Sequence, residues 1–225
     1  MGFPTLFSPR YMPPLATADG CCPMAIFQRI IVFDFDGTLV DSNVIKRDAY
    51  FEIFPHQYPF PEIITRTLQR DFEQPRQIII AEILRQVAGS FTPEEVQHYA
   101  AAYGTIVFDG VANCPALPGA DQALEAFSSH HALYLSSNTP EDSLHDLVGR
   151  RGWLGYFQGI FGQPHRKPET LHAILVRERA EPSELLVVGD GASDRLSAQA
   201  VGCVFFPITQ PTSLLKLVEI YGRHA

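Results

Sequence analysis

Two aspartates stand two residues apart where an apolar run ends: Ile30 to Phe33 lead into Asp34, Phe35 and Asp36, with Gly37 and Thr38 behind them. A carboxylate at the mouth of a buried strand is unfavourable unless it is paired or bound to a cation. The pair is therefore either a solvated turn or part of a site that holds charge. Three further clusters stand in the same relation to an apolar run. Ser136, Ser137 and Asn138 end the run that begins at Ala132, Lys167 comes after "GIFG", and Asp190 and Asp194 come after "LLVVG". Singly, each has a plain structural explanation, since "GD" ends many strands as a turn and "SSNTP" reads equally well as a helix cap. Together they place carboxylates, hydroxyls and a lysine at four equivalent points, and such oxygens can hold a cation.

The elements that must carry them are short β-branched or aromatic runs alternating with helical patterns. Strands are expected at 30–33, 132–137, 159–162, 185–190 and 203–208. Helices are expected from Thr139 as N-cap with Pro140 at the first position, from Pro168 to Arg179, from Ser193 to Val201, and over the last dozen residues. This alternation predicts an α/β fold, a Rossmann-like parallel sheet with helices on both faces. Ligands of such sheets bind beyond the carboxyl ends of the strands, where all four clusters lie. The interval 43–115 breaks the rhythm with helical patterns alone. Ile79, Ile80, Ile83, Leu84 and Val87 form one apolar face between Pro75 and Gly89, and Thr92, Pro93 and Glu95 form a capping box. The expected organisation is an N-terminal arm over 1–28, a core over 29–42 and 116–225, and an inserted helical cap over 43–115.

Composition narrows the function. A formal charge of -8 over 225 residues disfavours nucleic acid and offers no basic stripe to a membrane surface. No apolar run approaches the roughly 20 residues of a bilayer span, and the start lacks the pattern of a signal peptide. A cytoplasmic monomer or homodimer is expected. The four cysteines, Cys21, Cys22, Cys114 and Cys203, show no metal-ligand or redox spacing and read as free thiols.

"DFDGTLVDS", "SSNTP", Lys167 and "VVGDGASD" resemble, in order and spacing, the four motifs of the haloacid dehalogenase superfamily of phosphotransferases, from residue 30 to about 208. The inserted helices look like that superfamily's C1 cap. The resemblance implies that Asp34 is the nucleophile that forms an aspartyl-phosphate. It implies that Asp36 protonates the leaving alcohol and then activates water. Ser137, Asn138, Gly37, Thr38 and Lys167 would bind the phosphoryl group, Gly37 and Thr38 from the adjoining turn, and Lys167 would also neutralise developing charge. Asp34, Asp190 and the backbone carbonyl of Asp36 would bind a metal ion, and Asp194 would bind it or orient its water and Lys167. Oxygen donors shared with phosphate suit Mg2+.

Four carboxylates against one Mg2+ and one lysine leave the site too negative, so a proton on Asp36, and hence a raised pKa with substrate bound, is expected. The resemblance implies a Mg2+-dependent phosphatase acting on a small phosphorylated metabolite. The alternatives are a phosphomutase of the β-phosphoglucomutase kind or a binding protein without turnover. Specificity would come from cap cations such as Lys46 and Arg76, although a solvated surface arginine is the weightier reading of Arg76. Asp41 reads as the cap of the first cap helix, and His130 and His131 as solvated turn residues.

Overall fold

The computed structural model describes residues 28–71 and 74–222. The expected arm, with Cys21 and Cys22, lies outside the described residues but for its last, Gln28. Four consecutive apolar residues without polar alternation fit a strand covered on both faces. They form β1 (Ile30–Phe33), the central strand of a five-stranded sheet. It pairs with β2 (Ala132–Pro140) and β4 (Leu185–Gly189), while β3 (Gly159–Gln163) and β5 (Val204–Pro207) lie at the edges, and every pairing is parallel.

Alternation along the strands divides the apolar residues between two helical layers. Ile31, Phe33, Leu133, Leu135 and Val188 pack with α5 (Ala120–Ser128), α6 (Glu141–Arg150) and α9 (Ser213–Tyr221). Ile30, Val32, Tyr134 and Val187 pack on the other face with α7 (Lys167–Glu178) and α8 (Ala192–Val201). This is the Rossmann-like α/β core that the alternation predicts.

Between β1 and β2 the chain forms α1 (Asn43–Ile53), α2 (Phe60–Asp71), α3 (Arg76–Ala88) and α4 (Pro93–Asn113). Their apolar faces, among them Tyr50, Ile64, Ile79, Ile83 and Tyr103, form a cluster of their own. Thr92 and Glu95 make the expected reciprocal cap of α4, and Gly89 ends α3 with φ 76°. The chain enters and leaves this layer side by side: Asp41 N donates to Pro115 O at 3.0 Å and Leu117 N to Leu39 O at 2.9 Å. No helix of the described residues is long and apolar enough to cross a membrane.

Three local expectations are corrected. β2 continues through a register shift to Pro140, which pairs with Gln163. Thr139 is therefore strand, its hydroxyl goes elsewhere, and α6 begins at Glu141. Asp41 is exposed and Ser42 occupies the N-cap position of α1 without capping it. His131 is buried, edge-on to Phe127, because the turn before β2 folds back over α5, and that burial pulls its imidazole below the ordinary value.

Candidate active site

The site grows from the end of the central strand. Asp34 N still donates to Val188 O, at 2.8 Å, so Asp34 is held as an extension of β1. The chain then turns sharply at Gly37, whose φ of +72° disfavours residues with a side chain. A Cβ there would lie 2.2 Å from both Asn43 Nδ2 and Asp190 Oδ2, and one at Gly189 would lie 2.3 Å from Asp194 Cγ. Both glycines thus leave room for acids to sit against backbone.

Lys167, the first residue of α7, lies between two of those acids. Its Nζ donates to Asp34 Oδ1 at 3.0 Å and to Asp194 Oδ1 at 2.6 Å, and all three side chains are more than nine-tenths buried. Burial opposes the ammonium, but the two carboxylates outweigh it and hold the Lys167 pKa above the usual lysine range. One lysine does not balance the acids. Burial, assisted by Asp194 and Asp36, pushes Asp34 up to about 7 despite the Lys167 contact. Desolvation in the cleft and the nearby Asp34 raise Asp190 to about 6. Asp194 is raised too, by burial, with Lys167 opposing. Carboxylate oxygens of Asp34, Asp190 and Asp194 lie within 4.8 Å of one another. An all-oxygen, over-negative cluster of that size fits a hard divalent cation such as Mg2+.

Asp36 has a different set of partners. Ser42 Oγ donates to its Oδ1 at 2.7 Å, Thr139 Oγ1 to Oδ2 at 2.7 Å, and Lys46 Nζ lies 2.8 Å from Oδ2. Ser137 Oγ is farther, at 3.4 Å. Burial pushes this carboxyl up, but Lys46 and the hydroxyls together hold it below its ordinary value. The raised acid is Asp34 and the lowered one Asp36, because Lys46 adds a second positive charge beside Asp36. Lys46 therefore meets an acid of the core. Thr38, expected beside phosphate, is fully buried with its hydroxyl 3.4 Å from Asp190 Oδ1. Asn43 Nδ2 donates to Asp190 Oδ2 at 2.7 Å. Ser42, Asn43 and Thr139 escaped the sequence reading in these roles. Their one sequence signal is position, since each falls within a few residues of an acid or serine already singled out.

A cavity of about 760 Å³ lies between the strand ends and helices α1, α3 and α4. Asp34, Asp36, Ser137, Asn138, Lys167 and Asp190 all face it. Gly37 and Thr38 do not. Ser137 is thus the serine of the pair that faces the cavity. Arg76, read from sequence as a surface arginine, is half-buried on the cavity wall, its guanidinium 5.8 Å from the centre of the Tyr103 ring and close over Gly104.

The parallel α/β sheet thus gathers acids, a lysine and a hydroxyl at its strand ends. A family model described as haloacid dehalogenase-like hydrolase matches residues 28–202, and the chain belongs to that family. It is similar to a phosphoglycolate phosphatase of Vibrio vulnificus, 26% identical over 192 residues that span 80% of this chain and 83% of the relative. Among solved structures it resembles a haloacid dehalogenase-like family hydrolase of Streptococcus pneumoniae, with TM-score 0.64, 22% identity and coverage of 86% and 91% of the two chains. CbbY of Rhodobacter sphaeroides, solved in complex with phosphate, superposes with TM-score 0.65, 19% identity and coverage of 81% and 87%.

Proposed function

We propose that the protein is a Mg2+-dependent phosphatase that hydrolyses a small phosphorylated metabolite through a phosphoryl-aspartate on Asp34. The observation that carries this reading is the division of labour among the acids. Asp34 stands with Asp190 and Asp194, their carboxylate oxygens within 4.8 Å of one another, while Asp36, two residues on, faces the same cavity with a different set of partners. Asp34, Asp190 and Asp194, with the Asp36 carbonyl that the family resemblance implies, would hold the ion. Bound there, Mg2+ would offset the carboxylates and polarise a phosphoryl oxygen.

The chain's own residues supply the rest. As the negative phosphoryl group enters, Asp36 would take up a proton against the pull of Lys46, and Asp34, with the cation to offset its charge, would be ionised; the Asp34 carboxylate then attacks phosphorus, and the bond to the alcohol oxygen breaks as Asp36 gives that oxygen its proton. Asp36, now ionised, takes a proton from the water that attacks the phosphoryl-aspartate. Lys167 and the Ser137 hydroxyl, both on the cavity wall, hold phosphoryl oxygens. We take residues 43–115 as the cap over this cavity. Arg76 on its wall is the group that would meet an anionic end of the substrate, which makes phosphoglycolate the first compound to try.

Phosphate release from phosphoglycolate, sugar phosphates, nucleotides and p-nitrophenyl phosphate, in Mg2+ or EDTA, tests the reading beside Asp34→Asn. Release that requires both Mg2+ and Asp34 is expected. Conversion of a sugar phosphate that needs a bisphosphate and liberates no phosphate would replace the phosphatase by a mutase.

A further inference from the structure

The three acids grouped beyond the strand ends are not held alike. Asp34 and Asp194 are buried and both accept from Lys167. Asp190 is exposed, so its orientation depends on contacts of its own. Asn43 Nδ2 donates to its Oδ2 at 2.7 Å and Thr38 Oγ1 to its Oδ1 at 3.4 Å, and the amide makes the closer bond. Asn43 is the first residue of α1. The bonded pair fills the space that Gly37 leaves open, since a Cβ there would lie 2.2 Å from both Asn43 Nδ2 and Asp190 Oδ2. The terminal torsion of an aspartate is broad, and an exposed carboxylate turns about it freely. The amide removes that freedom and engages one of the two oxygens.

We propose that Asn43 is a positioning residue that fixes the Asp190 carboxylate so that it offers a cation one oxygen, and that it thereby favours Mg2+ over Ca2+. This rests on the reading of Asp34, Asp190 and Asp194 as the metal ligands. Mg2+ demands near-ideal octahedral geometry with oxygens at about 2.0–2.1 Å, whereas Ca2+ accepts about 6–8 oxygens in looser arrangements and takes both oxygens of one carboxylate. A carboxylate that cannot turn, with its second oxygen bonded to an amide, suits the smaller ion. One that turns freely and offers both oxygens suits the larger. Asn43 carries no charge and touches no reacting atom, so its removal changes the freedom of one ligand and leaves the charge of the site as it was.

The test titrates Mg2+ and Ca2+ separately, by calorimetry at one pH and without substrate, into the wild type, Asn43→Ala and Asn43→Leu. Loss of a group that orients a metal ligand costs roughly 10- to 100-fold in affinity, and that loss should fall on Mg2+. Ca2+ should bind the variants as well as it binds the wild type or better. The ratio of the two dissociation constants, Ca2+ over Mg2+, should therefore fall by about tenfold or more. Leucine is close to asparagine in shape but has no donor, so both variants should show the same fall. Equal weakening of the two ions would make Asn43 a general support of the site and would overturn the proposal, as would affinities that do not change. A leucine variant that keeps the wild-type ratio would assign the effect to shape alone and would overturn it too. Circular dichroism reports folding of each variant, and the leucine variant decides if the alanine variant does not fold. A wild type that binds neither ion would sink the metal reading itself, whereas a wild type that binds Mg2+ beside variants with an unchanged ratio sinks only the role of Asn43.

Discussion

Replacing Lys167 by methionine removes an ammonium that lies within 3.0 Å of Asp34 and 2.6 Å of Asp194 and leaves two buried carboxyl groups facing one another. Breaking a buried charge group by deleting one partner costs about 3–5 kcal/mol. For a chain of 225 residues that corresponds to a drop in Tm of roughly 10 °C. The loss must depend on pH. Asp34 already stands at about 7 rather than 3.8 with the lysine present, and without it the value rises further. Above 3.8 the unfolded chain gives up this proton while the folded variant keeps it. The folded state then binds more protons than the unfolded one, and stability falls as pH rises. Both folded proteins keep this proton up to about pH 7, so the deficit relative to wild type opens as pH rises through about 7, where the wild type ionises Asp34 and the variant does not, and grows up to the variant's own higher value. Mg2+ bound to the folded variant should raise its own stability by about 2.7 kcal/mol at a hundredfold excess over Kd. Urea unfolding of both proteins in EDTA at about pH 5 and about pH 8, and again with Mg2+ at the higher value, measures all three effects. An equal deficit at the two pH values, or none at either, refutes the reasoning, because the effect would not then be one of uncompensated carboxylates.

Two further outcomes follow from the same geometry. Asp34 at about 7 and Asp190 at about 6 must lose protons to a bound cation, so Mg2+ affinity should rise with pH between about 5 and 7, by up to about tenfold per unit for each proton released. Titration calorimetry in buffers of different ionisation enthalpy detects those protons, and a flat affinity contradicts the raised values. Gly37→Ala places a Cβ 2.2 Å from Asn43 Nδ2 and Asp190 Oδ2 at a φ of +72°. Backbone strain of about 1–2 kcal/mol and a displaced Asp190 should lower Tm by several degrees and weaken Mg2+ binding, and a variant that binds Mg2+ like the wild type counts against that assignment.

Much of the core was legible because its signals are local. The unbroken apolar run Ile30–Phe33, the glycine that ends α3 and the Thr92–Glu95 box each carry their structure in a few neighbouring residues. Thr139 was misread for the same reason. Thr followed by Pro is a good helix cap by local rules, but pairing of Pro140 with Gln163 extends β2, and the hydroxyl is taken by Asp36. The place of Arg76 on the cavity wall, beside Tyr103 of α4, likewise depends on an element distant in the chain.

The sequence by itself determined the order of strands and helices and which acids, serine and lysine end up beyond the strands, because hydrophobic period and turn chemistry act over a handful of residues. It also determined membership of a family whose motifs are contiguous. Only the tertiary structure decided which charges meet. Lys46 reaches Asp36, Asn43 reaches Asp190, and Lys167 divides itself between Asp34 and Asp194. Electrostatic pairing is fixed by distance and desolvation, and of these pairs all but the first join residues more than 25 positions apart, which only the folding of α1, α7 and α8 onto the strand ends brings together.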